Sequence, residues 1–152
     1  MIQRIQTIYL LISLIAWTML FFFPFIGFTQ DAGEAWKLYA GGIKEVATGK
    51  VLMVTLPMVI LFVLVELLTL FSVITYKLRA FQLRLTVLSM MLQILSYGII
   101  ALYVIQGKNL LNAHPALLFF SAMPLVAAIC SFLAFRGIRR DMLLLRGLDR
   151  LR

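Results

Sequence analysis

Four apolar runs dominate the chain: about Ile5–Phe28, Val51–Tyr76, Leu85–Ile105 and Pro115–Phe135. Each approaches or exceeds the roughly 20 residues that a helix needs to cross about 30 Å of hydrocarbon. Polar segments at 29–50, 77–84 and 106–114 separate them, and 136–152 forms a basic tail. Short connections make neighbouring spans antiparallel. The pattern predicts an all-α integral membrane protein, an antiparallel four-helix bundle forming one domain over 1–152. Arg4 ahead of the first run imitates a signal peptide. The run is longer than a signal peptide's apolar region, however, and no small-x-small cleavage pattern follows, so it is read as a retained helix.

The first loop carries two short alternating stretches, Trp36–Ala40 and Ile43–Val46, on either side of Gly41-Gly42. Two glycines that accept positive φ at both central positions suit a β-hairpin. The rival is a short helix capped by Asp31, with Glu34 three residues on. Trp36 and Tyr39 suit an aromatic belt at headgroup level. His114-Pro115 reads as the start of the fourth helix, since proline at the first helical position forfeits no hydrogen bond. Pro57 and Pro124 read as kink sites within their spans.

Composition narrows the class. Hydrophobic residues make up 63% of the chain and charged residues 13%, with a mean hydropathy of +1.03. Soluble domains carry about a quarter charged residues, and a globule of this length could not bury so much apolar surface. The formal net charge of +8 is unevenly spread. Arg4, Lys77, Arg79, Arg84, Arg136, Arg139, Arg140, Arg146, Arg150 and Arg152 fall on one side of the spans; Lys37, Lys44, Lys50 and Lys108 fall on the other. The positive-inside rule then places both termini in the cytoplasm. The basic balance is a topology signal and calls for no nucleic acid. In the tail, Ile138, Met142, Leu145 and Leu148 recur beside Arg139, Arg146 and Arg150. A basic amphipathic helix of that kind suits anionic lipids or a partner protein.

Chemistry-bearing residues are few. One Cys, Cys130, excludes an internal disulfide, and one His, His114, excludes a bis-histidine haem within the chain. The sequence shows no Ser-His-Asp set, metal cluster or phosphate-cradling glycine loop, so no enzyme activity, cofactor or metal is expected. Glu66 is the exception that needs a reason. An acidic residue near the centre of a span costs roughly 2.5–3.5 kcal/mol on insertion scales. Helical spacing groups it with Thr55, Thr69 and Tyr76, while the third span carries Thr86, Ser89, Gln93, Ser96, Tyr97 and Tyr103 as a matching stripe. Glu66 and Gln93 fall at similar depth and are expected to face each other. The first span adds Gln6, Tyr9, Ser13 and Trp17, and the fourth adds Ser121, Pro124, Ala128 and Ser131 as a small-residue face.

Three stretches resemble a known family. The opening Met1-Ile-Gln-Arg-Ile-Gln-Thr-Ile-Tyr-Leu, the turn Tyr76-Lys-Leu-Arg-Ala-Phe-Gln-Leu-Arg-Leu and the ending Asp149-Arg-Leu-Arg look like those of an uncharacterised family of four-span bacterial inner-membrane proteins. The tail is similar at Arg136, Ile138, Arg139, Asp141 and Arg146. It departs at Met142, where an acidic residue is usual, and at Leu148, where a small one is. The resemblance implies four helices with cytoplasmic termini and implies no reaction. It also gathers Gln3, Arg4 and Gln6 with Gln82, Arg84, Asp141 and Asp149 on the cytoplasmic face. The function expected is that of a non-enzymatic accessory or scaffold subunit of an inner-membrane assembly. Its partner is a membrane protein or a second copy. The alternative is a small oligomeric proton-coupled transporter or channel centred on Glu66.

Overall fold

In a computed structural model, residues 2–30 and 35–149 are described, with side chains over 5–30 and 35–144. Helix α1 (Ile2–Phe22) stops two residues before Pro24, which lacks an N–H and biases the residue before it to extended backbone. The apolar run continues, but as strand β1 (Ile26–Thr29). Strands β2 (Ala35–Tyr39), β3 (Gly42–Glu45) and β4 (Val51–Val54) follow before α2 (Leu56–Ile74). A short turn leads to α3 (Arg79–Leu111), then β5 (His114–Leu117), a 3-10 turn at Phe119–Ala122 and α4 (Met123–Asp149). The strands form one antiparallel sheet in the order β4-β3-β2-β1-β5.

The all-α expectation is therefore overturned: the molecule is a helical bundle with a five-stranded antiparallel sheet. Three expected spans had absorbed strand residues at the sheet end of the bundle. A run such as Val51–Val54 raises a hydropathy window whether it is strand or helix, and periodicity cannot separate the two over so few residues. Each helix then begins on its own signal. Pro57 sits in the first turn of α2 and Pro124 is the second residue of α4, so both start helices and neither kinks one. His114-Pro115 lies in β5, an edge strand, where proline costs no ladder bond toward solvent.

The β2–β3 connection turns one residue earlier than the glycine pair suggests. Tyr39 pairs with Gly42, so Ala40 and Gly41 form the turn and only Gly42 of the three has positive φ, at 149°. The Asp31–Glu34 capping spacing falls outside the described residues. The inner face of the sheet presents Phe28, Trp36, Leu38 and Ile43, which pack on Trp17 and Leu20 of α1, Phe25 of the α1–β1 link, and Met58 and Phe62 of α2. Trp36 thus belongs to the core and does not sit in a headgroup belt. Tyr39 is half-buried, with Lys44 Nζ 5.5 Å from its ring centroid.

At 33 residues, α3 is about 50 Å long and outruns the hydrocarbon core. Its last turns run beneath the sheet at Gly107, where a Cβ would come within 2.8 Å of Phe28 Cζ and 2.9 Å of Ile43 Cδ1. Asn112 closes the helix in the left-handed conformation with φ 47°. Helix α4 runs through Gly137 to Asp149, so the basic tail prolongs the fourth helix as far as it is described. Around the bundle α1 packs on α4, α4 on α3 and α3 on α2, while α2 closes on α1 over a thinner seam. Among the described residues, four helices are long and apolar enough to cross a membrane.

Candidate functional site

The interior of the bundle divides along its length. Near the sheet it is aromatic and aliphatic: Trp17 and Phe62 meet edge-on with centroids 5.1 Å apart, and Phe25 joins them at 6.2 Å from Phe62. Toward the opposite, basic end it becomes polar. Of the buried positions on α3, the first five are Gln82, Thr86, Ser89, Gln93 and Ser96, and only then do Ile100, Gly107 and Leu111 follow. From the other helices Gln6, Ser13, Thr69, Ser72, Ser131 and Asp141 are buried as well.

These groups bond in layers. At the basic end Gln6 Nε2 donates to Asp141 Oδ2 at 2.7 Å, tying the start of α1 to α4. Gly137 makes room for it, because a Cβ there would lie 2.8 Å from Gln6 Cγ. One layer deeper, the Ser72 and Thr86 hydroxyls lie 2.7 Å apart between α2 and α3. At mid-bundle Gln93 Nε2 donates to Ser13 Oγ at 3.2 Å, and Ser13 donates to Ala127 O at 3.0 Å. Ser13 has one proton and two lone pairs, so the Ser131 hydroxyl at 2.9 Å is left to donate to it. One hydroxyl thereby joins α1, α3 and α4. Gln93 Oε1 has no partner among the described residues.

Glu66 stands apart from that node. It is ten residues into α2, about 15 Å from the sheet end of the helix, and half-buried at the seam with α1. Thr18 Oγ1 donates to Glu66 Oε1 at 2.6 Å and also lies 2.8 Å from Leu14 O. Glu66 Oε2 is buried and has no partner among the described residues. The expected bond to Gln93 is not among those of the described residues, for an angular reason. The Ser72–Thr86 contact fixes the α2–α3 register, and two helical turns on it sets Val65 opposite Gln93. Glu66, one residue later, is rotated about 100° toward α1.

The other residues singled out from the sequence separate similarly. Thr69 and Ser89 are buried and return their hydroxyls to Val65 O and Thr86 O of their own helices. Tyr97 lies on the outside between α3 and α4, donating to Ser121 O at 3.2 Å. Of the basic residues, Lys77, Arg84, Arg136, Arg139 and Arg140 are exposed and Arg79 is partly covered, all at one end of the bundle. Arg4 and Arg146 lie on helical backbone whose side chains are outside the described set, and Arg150 lies outside the described residues. Sequence reasoning passed over Thr18. Its signal was present: at helical spacing Thr18 follows Leu11 and Leu14 on a face adjoining Ser13 and Trp17.

Fold and site together define a class: a four-helix bundle of membrane-crossing length, capped at one end by a small sheet and hydrogen-bonded through its interior. Residues 2–151 match the family described as a domain of unknown function (DUF4293), and the chain belongs to that family. No curated protein matches it.

Proposed function

We propose that the protein is a non-enzymatic accessory or scaffold subunit of a larger assembly in the bacterial inner membrane, with both termini in the cytoplasm. The observation that carries this reading is the free oxygen of Glu66. A carboxyl group in hydrocarbon is expensive, and its cost falls when hydrogen-bond donors surround it. Thr18 supplies one, and Glu66 Oε2 is left without any among the described residues, at the thinnest seam of the bundle. A helix of a partner membrane protein laid along the α1–α2 seam, offering a hydroxyl, amide or cation, would complete the set once the half-buried carboxylate turns outward to meet it. Leu11, Val63 and Leu70 on the same two helices are exposed and apolar, as a contact with such a helix requires. The basic end adds attraction to anionic lipid headgroups, each near-surface cation contributing about 1 kcal/mol.

The test is purification of the tagged full chain in mild detergent. Wild type is expected to bring down one membrane protein in fixed stoichiometry. Glu66→Gln keeps acceptor and donor capacity and is expected to retain it, whereas Glu66→Leu is expected to lose most of it with the fold intact by circular dichroism. A chain that emerges alone, and whose Glu66→Gln form abolishes proton flux in liposomes, would replace this reading with proton-coupled transport.

A further inference from the structure

A cavity of about 590 Å³ opens between α3 and α4 beneath the sheet, away from the polar interior. Tyr97, Ala101, Val104 and Ile105 of α3 form one wall, and Pro115 and Leu117 of β5 form the roof. Its polar groups are already engaged: Tyr97 donates to Ser121 O at 3.2 Å and Ser121 Oγ donates to Leu118 O at 2.6 Å. What the cavity offers a ligand is therefore hydrocarbon contact, and it opens where α3 and α4 meet the hydrocarbon of a bilayer.

Two further observations specify the occupant. Positions 97, 101, 104, 105 and 108 recur at helical spacing, so exposed Lys108 continues the cavity stripe at its sheet end. Between Arg84 and Lys108 α3 carries no charge, and Tyr97 lies near the middle of that interval. From Tyr97 to Lys108 the helix rises about 16 Å, close to half of the roughly 30 Å hydrocarbon core. The cleft is thus one leaflet deep, apolar from the midplane outward, and topped by a cation at headgroup level.

We propose that this cleft holds one acyl chain of a phospholipid from the leaflet at the sheet end, with the lipid phosphate at Lys108. The inference rests on the helices crossing a bilayer and is independent of any partner at Glu66. The lipid then forms part of the α3–α4 surface, filling the gap that β5 roofs.

The test uses the full chain, purified in detergent, stripped of lipid and titrated with phosphatidylglycerol or with diacylglycerol of the same chains, occupancy being read by native mass spectrometry. Wild type is expected to retain one phosphatidylglycerol and to prefer it at least fivefold over diacylglycerol. Ala101→Trp, which fills the cleft, is expected to lower occupancy at least fivefold. Ile60→Trp on the exposed face of α2 is expected to leave it unchanged. Lys108→Gln, a surface change that does not threaten folding, is expected to erase the preference for the phosphate-bearing lipid while diacylglycerol still binds. Equal retention by wild type and Ala101→Trp, an equal loss in Ile60→Trp, or a preference that survives Lys108→Gln would each overturn the proposal.

Discussion

Ser13 shows how much one hydroxyl can organise. It accepts from Gln93, leaves a lone pair for Ser131 and donates to Ala127 O, so three helices meet at one oxygen. Ser13→Ala leaves Gln93 Nε2 buried without an acceptor. Hydrogen bonds between membrane helices average about 0.6 kcal/mol and reach about 1.7. This one supports several contacts, so a loss toward the upper end is expected in unfolding from detergent micelles; no measurable change would deny the node its role. Gly107 makes an opposite kind of prediction. Phe28 and Ile43 already occupy the space of its missing Cβ, so Gly107→Leu overpacks the α3–sheet junction and is expected to cost about 1–3 kcal/mol in the same assay. The polar stripe on α3 was legible residue by residue, because Ser, Thr and Gln at helical spacing inside an apolar run cannot favourably face lipid. The partner of Glu66 was not legible, because one residue of rotation decides between α3 and α1, and no apolar pattern encodes that angle.

At the scale of elements, the four helices follow from apolar length, and the sheet was visible only where glycine broke the pattern. Strands β1, β4 and β5 were hidden at the ends of longer apolar runs, where hydropathy reads a strand as a further turn of helix. Proline marked the true boundaries: Pro24 ends α1, while Pro57 and Pro124 open α2 and α4. Cross-linking checks the sheet directly. Thr29 and His114 are paired across β1 and β5, a separation of about 4.5–5.5 Å between Cα atoms that a disulfide spans. In a Cys130→Ser background, Thr29→Cys with His114→Cys is expected to oxidise readily within one chain. Gln30→Cys with Pro115→Cys sits out of register and is expected to oxidise far less. Equal yields from the two pairs would contradict the register.

For the whole molecule, charge and polarity run along a single axis. The sheet end holds Lys37, Lys44, Lys50 and Lys108 and the aromatic core; the opposite end holds Lys77, Arg79, Arg84, Arg136, Arg139 and Arg140, the Gln6–Asp141 bond and the polar interior. The uneven charge was readable from the sequence alone, and it supports cytoplasmic termini through the positive-inside rule. Single cysteines at Lys37 and Arg139, again with Cys130→Ser, are expected to react with impermeant thiol reagents from opposite sides of intact spheroplasts. Labelling of both from one side would reject that topology. The central claim, however, concerns the α1–α2 seam. It is tested most directly by placing a photo-crosslinking amino acid at Leu11 or Leu70 in cells. The account predicts one discrete adduct with a second membrane protein, abolished by Glu66→Leu and retained by Glu66→Gln. Adducts with lipid alone, unchanged by either substitution, would contradict it.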